Sequence, residues 1–180
     1  MRLLSRPAAL RALPALAVAL ACTAGTARAD EPAEIRALVA HGELLPALQR
    51  AQRAMQARPG DVQIRFLYGV VLMDLQRDDE ALALFTQLSE EFPELPDPLN
   101  NVAVLQVRTG HLDLARLSLE AALRNEPGHR AALANLGQVH LMMAVQAWEQ
   151  AADKGPLDPQ LQRRLEAART LLACTPLSPR

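Results

Sequence analysis

The sequence predicts an all-α protein built as a solenoid of short helical hairpins, and three observations carry that expectation. The stretch at 96–129, PDPLNNVAVLQVRTGHLDLARLSLEAALRNEPGH, maps onto the chain upstream at a fixed offset of 34 residues. Gly110, Ala115, Leu119, Ala122 and Pro127 fall on Gln76, Ala81, Phe85, Leu88 and Pro93, and then on Gly42, Ala47, Ala51, Ala54 and Pro59. A period of that length with helical spacing inside it is the mark of stacked helix–turn–helix units. Apolar residues recur at 3.6-residue spacing between the turn residues, as in Ile64, Leu67, Tyr68, Val71, Leu72 and Leu75. Composition agrees: 50% of residues are hydrophobic but only 3% aromatic. The alanine, leucine, arginine and glutamate that dominate lose little rotamer freedom in a helix.

Residues 1–29 are of another kind. Arg2, Arg6 and Arg11 precede an apolar run at Ala12–Ala21, and Ala27-Arg28-Ala29 has the small-x-small pattern of a signal-peptidase site. The run falls short of the roughly 20 apolar residues of a membrane span. The expectation is a cleaved secretory signal and a periplasmic or secreted mature chain, with a lipid anchor at Cys22 as the alternative. Cleavage near Ala29 removes four of the 19 basic side chains against 20 acidic ones, so the mature net charge is −5. A mildly acidic domain without a basic stripe argues against nucleic acid and anionic lipid. Cys174 is the one cysteine left, which rules out an internal disulfide. Packing inside its apolar helix is the expected role for it.

In chain order, Asp30-Glu31-Pro32 opens a first helix that His41-Gly42 closes. Leu44, Leu45, Leu48, Ala51 and Met55 define a second, closed by Arg58-Pro59-Gly60, and Asp61 caps a third over Val62–Gln76. Gly69 lies inside that third helix, in one column with Ala103 and Gly137, where a small residue lets two helices approach. Asp78 or Asp79 starts the fourth helix, and the 96–129 stretch contributes two more. Downstream the pattern changes, because no turn residue appears between Gly137 and Gly155. Leu133, Leu136, His140, Leu141, Ala144, Val145, Trp148 and Ala151 keep helical spacing, which predicts one fused helix over about Arg130–Lys154. Asp158-Pro159 then opens a last helix to about Ala173.

These residues resemble a tetratricopeptide-repeat (TPR) protein. NLGQVHLMMAVQAWEQAADKGPLD is similar to the closing unit of small bacterial-envelope proteins of that family. The resemblance implies a TPR domain over 30–173, with repeats at about 28–61, 62–95 and 96–129, a divergent unit at 130–157 and a capping helix at 158–173. Residues 174–180 would be a flexible tail. It also implies a protein-binding scaffold, with partners among cell-wall, secretion, pilus or outer-membrane assembly components, and no cofactor.

In this family the first helix of each pair lines the concave side. The positions there that hairpin packing does not use are Phe66, Val70, Met73 and Asp74, with Gln63, then Asn100, Val104, Val107 and Arg108, with Asp97, and then Gln138. Phe66, Val70 and Met73 fall at i, i+4 and i+7, as do Asn100, Val104 and Val107, a second apolar stripe suited to a protein or peptide partner. Substituting Val70 and Val104 with Glu is expected to abolish capture and leave helicity intact. Alternatives are a homodimer pairing Phe66, Val70 and Met73 with a second copy, or a groove filled by the chain's own terminal helices.

Catalysis has no comparable support. His41, His111, His129 and His140 share no metal-ligand spacing, and no phosphate loop, Gly-x-Ser-x-Gly or Cys-x-x-Cys occurs. His140 is expected to pack in the buried stripe of the fused helix. A charged clamp for a C-terminal carboxylate is also unsupported, since Lys154 is the single lysine of the chain.

Overall fold

The computed structural model describes residues 31–174 and 177, so the expected signal segment and Cys22 lie outside the described residues. Among the described residues eight helices follow one another: α1 (Glu31–Ala40), α2 (Leu44–Ala57), α3 (Val62–Asp74), α4 (Asp78–Glu91), α5 (Pro96–Arg108), α6 (Leu112–Asn125), α7 (Arg130–Ala152) and α8 (Pro159–Cys174). Each packs on the next, and α1 on α3 and α5 on α7 add the contact from one repeat to the following one. The result is an all-α solenoid of helical hairpins with a fused long helix and a capping helix, the architecture that the sequence resemblance implies.

The 34-residue period is visible in the backbone. Inside the hairpins, Gly42, Gln76 and Gly110 take φ of 76°, 59° and 79°. The amide of each bonds back to Val39, Met73 or Val107, and the next amide reaches Leu38, Leu72 or Gln106 at 2.8–2.9 Å. That is the left-handed helix stop, which satisfies two orphan carbonyls at each hairpin bend. Between hairpins, the amides of Asp61, Leu95 and His129 close turns onto Arg58, Phe92 and Glu126. Asp61 caps α3 through Ile64 N, and His129 Nδ1 accepts from Ala132 N to cap α7, each at 3.2 Å. The next bend would fall at Ala144, and there α7 runs straight on.

Gln76 is the one non-glycine residue at positive φ among those described. A left-handed conformation costs an L-residue about 1–2 kcal/mol, while glycine gives back roughly 0.5–1 kcal/mol through a freer unfolded chain. Gln76→Gly is therefore expected to raise stability by about 0.5 kcal/mol, read as a higher urea midpoint at unchanged slope. A lower midpoint would mean that Gln76 has a compensating role.

The core is laid down repeat by repeat. Ile35, Ala47, Ala51, Leu67 and Val71 fill the first interval. Val70, Leu72, Met73, Ala81, Phe85, Leu88, Val102, Val104 and Leu105 fill the second. Ala103, Ala115, Leu119, Ala122, Ala132 and Val139 fill the third. At the end, Val145 of α7 meets Leu165 and Ala168 of α8, with Trp148 alongside.

The small-residue column behaves differently at each level. A Cβ at Gly69 would stand 2.7 Å from the Phe85 ring, so the glycine admits that ring. Gly137 has nothing within 4 Å of the same point, because fusion of α7 removed the helix that would cover it. For that reason His140 is exposed and Leu133 is 49% exposed, contrary to the packed stripe expected there. Cys174 is likewise exposed at the end of α8 rather than packed.

Polar ties brace the individual repeats. Arg58 bridges Glu31 at 2.7 Å and Asp61 at 3.0 Å. The buried Arg65 guanidinium forks onto Glu91, and Gln87 donates to the same carboxylate. Arg65 first, and Gln87 second, hold the Glu91 carboxyl below its ordinary range. Its stabilising contribution is complete above the unfolded carboxylate range and is lost only as pH falls through the depressed value.

Candidate functional site

The first helices of the hairpins, α1, α3, α5 and α7, form the inner wall of the solenoid. At its N-terminal end they frame a cleft of about 610 Å³. Phe66, Leu67, Val70 and Val62 of α3 line it with Val39 of α1 and with Phe92 and Leu95 of the turn before α5. Arg36, Gln63, Glu94 and Asp97 give it a polar rim, and all four are exposed. A cavity in the 300–1,000 Å³ range, apolar inside with a few polar groups at the edge, is the ordinary form of a binding site. Phe66 is held in place by Phe85, the ring centroids 5.5 Å apart and tilted 57°.

The nine residues singled out from the sequence divide into groups. Phe66 and Val70 line the cleft. Val70 is 3% exposed, Met73 1% and Val104 3%, and they share one cluster with Leu105 and Phe85. They are therefore part of the core under the groove instead of an open apolar stripe. Asn100 is fully buried and accepts from Asn135 Nδ2 at 2.9 Å, joining α5 to α7. Val107 packs on the third-interval cluster. Arg108 reaches back to Asp78 Oδ1 at 2.7 Å and to the Met73 carbonyl, which ties α5 to the preceding bend. Asp74 and Gln138 are half-buried and engaged.

The turn before α5 is the part of the cleft that periodicity did not single out. Phe92, Glu94, Leu95 and Pro98 lie in or beside an inter-repeat connection, where the 3.6-residue pattern is silent. One available signal was compositional, since FPELP places two large apolar residues where the other connections read RPGDV and EPGHR. Gln63 and Asp97 occupy one column of the repeat and do meet in the rim.

Three of the histidines, His41, His111 and His129, are locally engaged. His41 Nδ1 lies 2.7 Å from the Ala37 carbonyl, and His111 Nδ1 lies 2.9 Å from Thr109 Oγ1. Because His129 Nδ1 accepts a backbone N–H, its Nε2 carries the proton donated to Asp97 Oδ1 at 3.0 Å. Among the described residues no group of three His, Cys, Asp or Glu could hold a metal ion, and no helix is long and apolar enough to cross a membrane.

Comparison with known proteins places this geometry. The tetratricopeptide-repeat family model matches residues 38–100, and that of the coatomer epsilon subunit matches 74–153. The crystal structure of YrrB, described as a TPR protein with an unusual peptide-binding site, is similar with a TM-score of 0.55 and 27% identity. It covers 60% of this chain and 56% of its own. A tetratricopeptide repeat protein from Parabacteroides merdae gives a TM-score of 0.57 at 19% identity, over 81% of this chain and 61% of its own. The chain thus spans less than two thirds of either structure. No curated protein matches it significantly. With hairpin bends repeating at 42, 76 and 110, a family match across the first two and solved neighbours of the same build, the chain has the tetratricopeptide-repeat fold.

Proposed function

We propose that this protein is a non-enzymatic adaptor of the periplasm or of the secreted space, holding an apolar segment of a partner protein in the cleft between α1, α3 and α5. The observation that carries the reading is the cleft itself. Apolar side chains from three successive segments converge on about 610 Å³ of accessible space, ringed by Arg36, Gln63, Glu94 and Asp97. YrrB, of similar build, is described as having a peptide-binding site, which supports a peptide-like ligand here as well. The signal-like residues 1–29 support export, and the envelope-type closing unit supports a role in cell-wall, secretion, pilus or outer-membrane assembly.

The cleft can be blocked without touching the core. Gln63 is exposed on its rim, so Gln63→Trp fills the opening and, as a surface change, should move stability by no more than about 0.5 kcal/mol. In-cell crosslinking with wild type should capture a partner that Gln63→Trp loses at least tenfold, while the melting curves coincide. Equal capture by both forms would remove the cleft from the proposal. The homodimer reading is weaker, since Val70 and Met73 are already covered and leave Phe66 alone to pair.

A further inference from the structure

Leu177 lies three residues beyond the end of α8 at Cys174, in the segment TPLSPR that sequence reading assigns to a loose tail. It is half-buried and packs against the second-interval cluster, which holds Val70, Met73, Val104 and Leu105 along with Leu72, Ala81, Phe85, Leu88 and Val102, and which Phe66 also packs against. That cluster belongs to α3, α4 and α5, whereas α8 itself packs on α7 at the other end of the solenoid. Three residues reach at most about 11 Å. The end of α8 at Cys174 therefore lies within reach of the cluster on α3, α4 and α5.

We propose that Leu177 is an intramolecular ligand of the concave groove. This rests on the reading of the groove as the binding surface, and it adds the chemistry of what fits there. The favoured occupant is an extended segment with one leucine anchor between prolines. Pro176 and Pro179 flank Leu177-Ser178, and proline restricts the free chain to extended forms, so little ordering entropy opposes docking. A partner segment that extends from the cleft onto this cluster must displace Leu177. Its apparent affinity is lowered by the fraction of molecules in which the groove is closed, so occupancy of ten to one weakens capture roughly tenfold.

The test uses the full mature chain and a fluorescein-labelled peptide of residues 173–180, ACTPLSPR, followed by anisotropy. Leu177→Asp releases the anchor from a half-buried site, and circular dichroism should show unchanged helicity. The peptide is expected to bind Leu177→Asp at least roughly tenfold tighter than wild type, and the same peptide carrying Leu177→Asp is expected not to bind. Equal affinity for the two chains, or no binding to either, overturns the proposal. A wild-type dimer that Leu177→Asp converts to monomer in light scattering overturns the intramolecular form, because the segment would then sit in a second copy. Failure here leaves the Gln63→Trp capture result standing. Conversely, a peptide that binds while Gln63→Trp captures its partner normally refutes the cleft and keeps the self-ligand.

Discussion

Phe85→Ala should cost about 3–5 kcal/mol, the usual range for truncating a buried aromatic, and lower the melting temperature by on the order of 10 °C. Phe85 is 0% exposed, stands at the centre of the second-interval cluster and backs Phe66 under the cleft. Its ring fits because position 69 has no side chain: an added Cβ would meet ring atoms at 2.7 and 2.8 Å. Gly69→Ala gains about 1 kcal/mol of helix propensity but meets an overpacking cost of about 1–3 kcal/mol, since a buried ring has nowhere to move. A net loss is expected.

The next repeat shows how to relieve it. One period on, the same two positions hold Ala103 and Leu119, both buried in one cluster. Gly69→Ala combined with Phe85→Leu should therefore be more stable than the two single losses predict, with a coupling of at least about 0.5 kcal/mol in a double-mutant cycle. Strict additivity would show that the ring and the glycine are not matched to each other.

That column also shows how far sequence alone reaches. Gly42, Gly110, the Pro59, Pro93 and Pro127 turns and the Ala and Leu columns fix hairpin positions, because each is a local demand: a positive φ, a helix stop or a small side chain. The fused helix was legible for the same reason, since the bend residue that would stand at 144 is Ala and no glycine offers a left-handed stop. What the pattern could not carry is which surface stays open. Val70, Val104 and Asn100 look like leftover positions on isolated helices, yet Val70 and Val104 are buried in a cluster shared by α3, α4 and α5, and Asn100 is bonded by Asn135 of α7. His140 and Leu133 fail in the opposite direction. Their helical spacing is that of a buried face, and the helix that would cover them is missing from the fused unit. Helical period reports the faces of one helix, whereas exposure depends on neighbours one or two repeats away.

Val104→Glu tests that distinction and should have the other large effect. On an open stripe, the carboxylate would be solvated and only partner capture would suffer. At 3% exposure, with Val70, Met73 and Leu105 in its cluster, the new carboxyl is instead desolvated and its pKa is raised. Each unit of that rise costs about 1.4 kcal/mol at neutral pH, so a rise of roughly three units costs about 4 kcal/mol, a large part of a domain's usual 5–15 kcal/mol. The sign of the pH dependence follows. The folded state holds the carboxyl neutral while the unfolded chain ionises it above about pH 4.3, so the penalty grows as pH rises from there to the raised folded value. Val104→Glu should consequently lie closest to wild type near pH 4 and furthest from it at pH 7 to 8, in urea melts run against wild type at each pH. Val104→Gln carries the same polarity without the charge and should lose stability to a similar extent at every pH. A Val104→Glu chain as stable as wild type at pH 7 would mean that the groove is open at its centre.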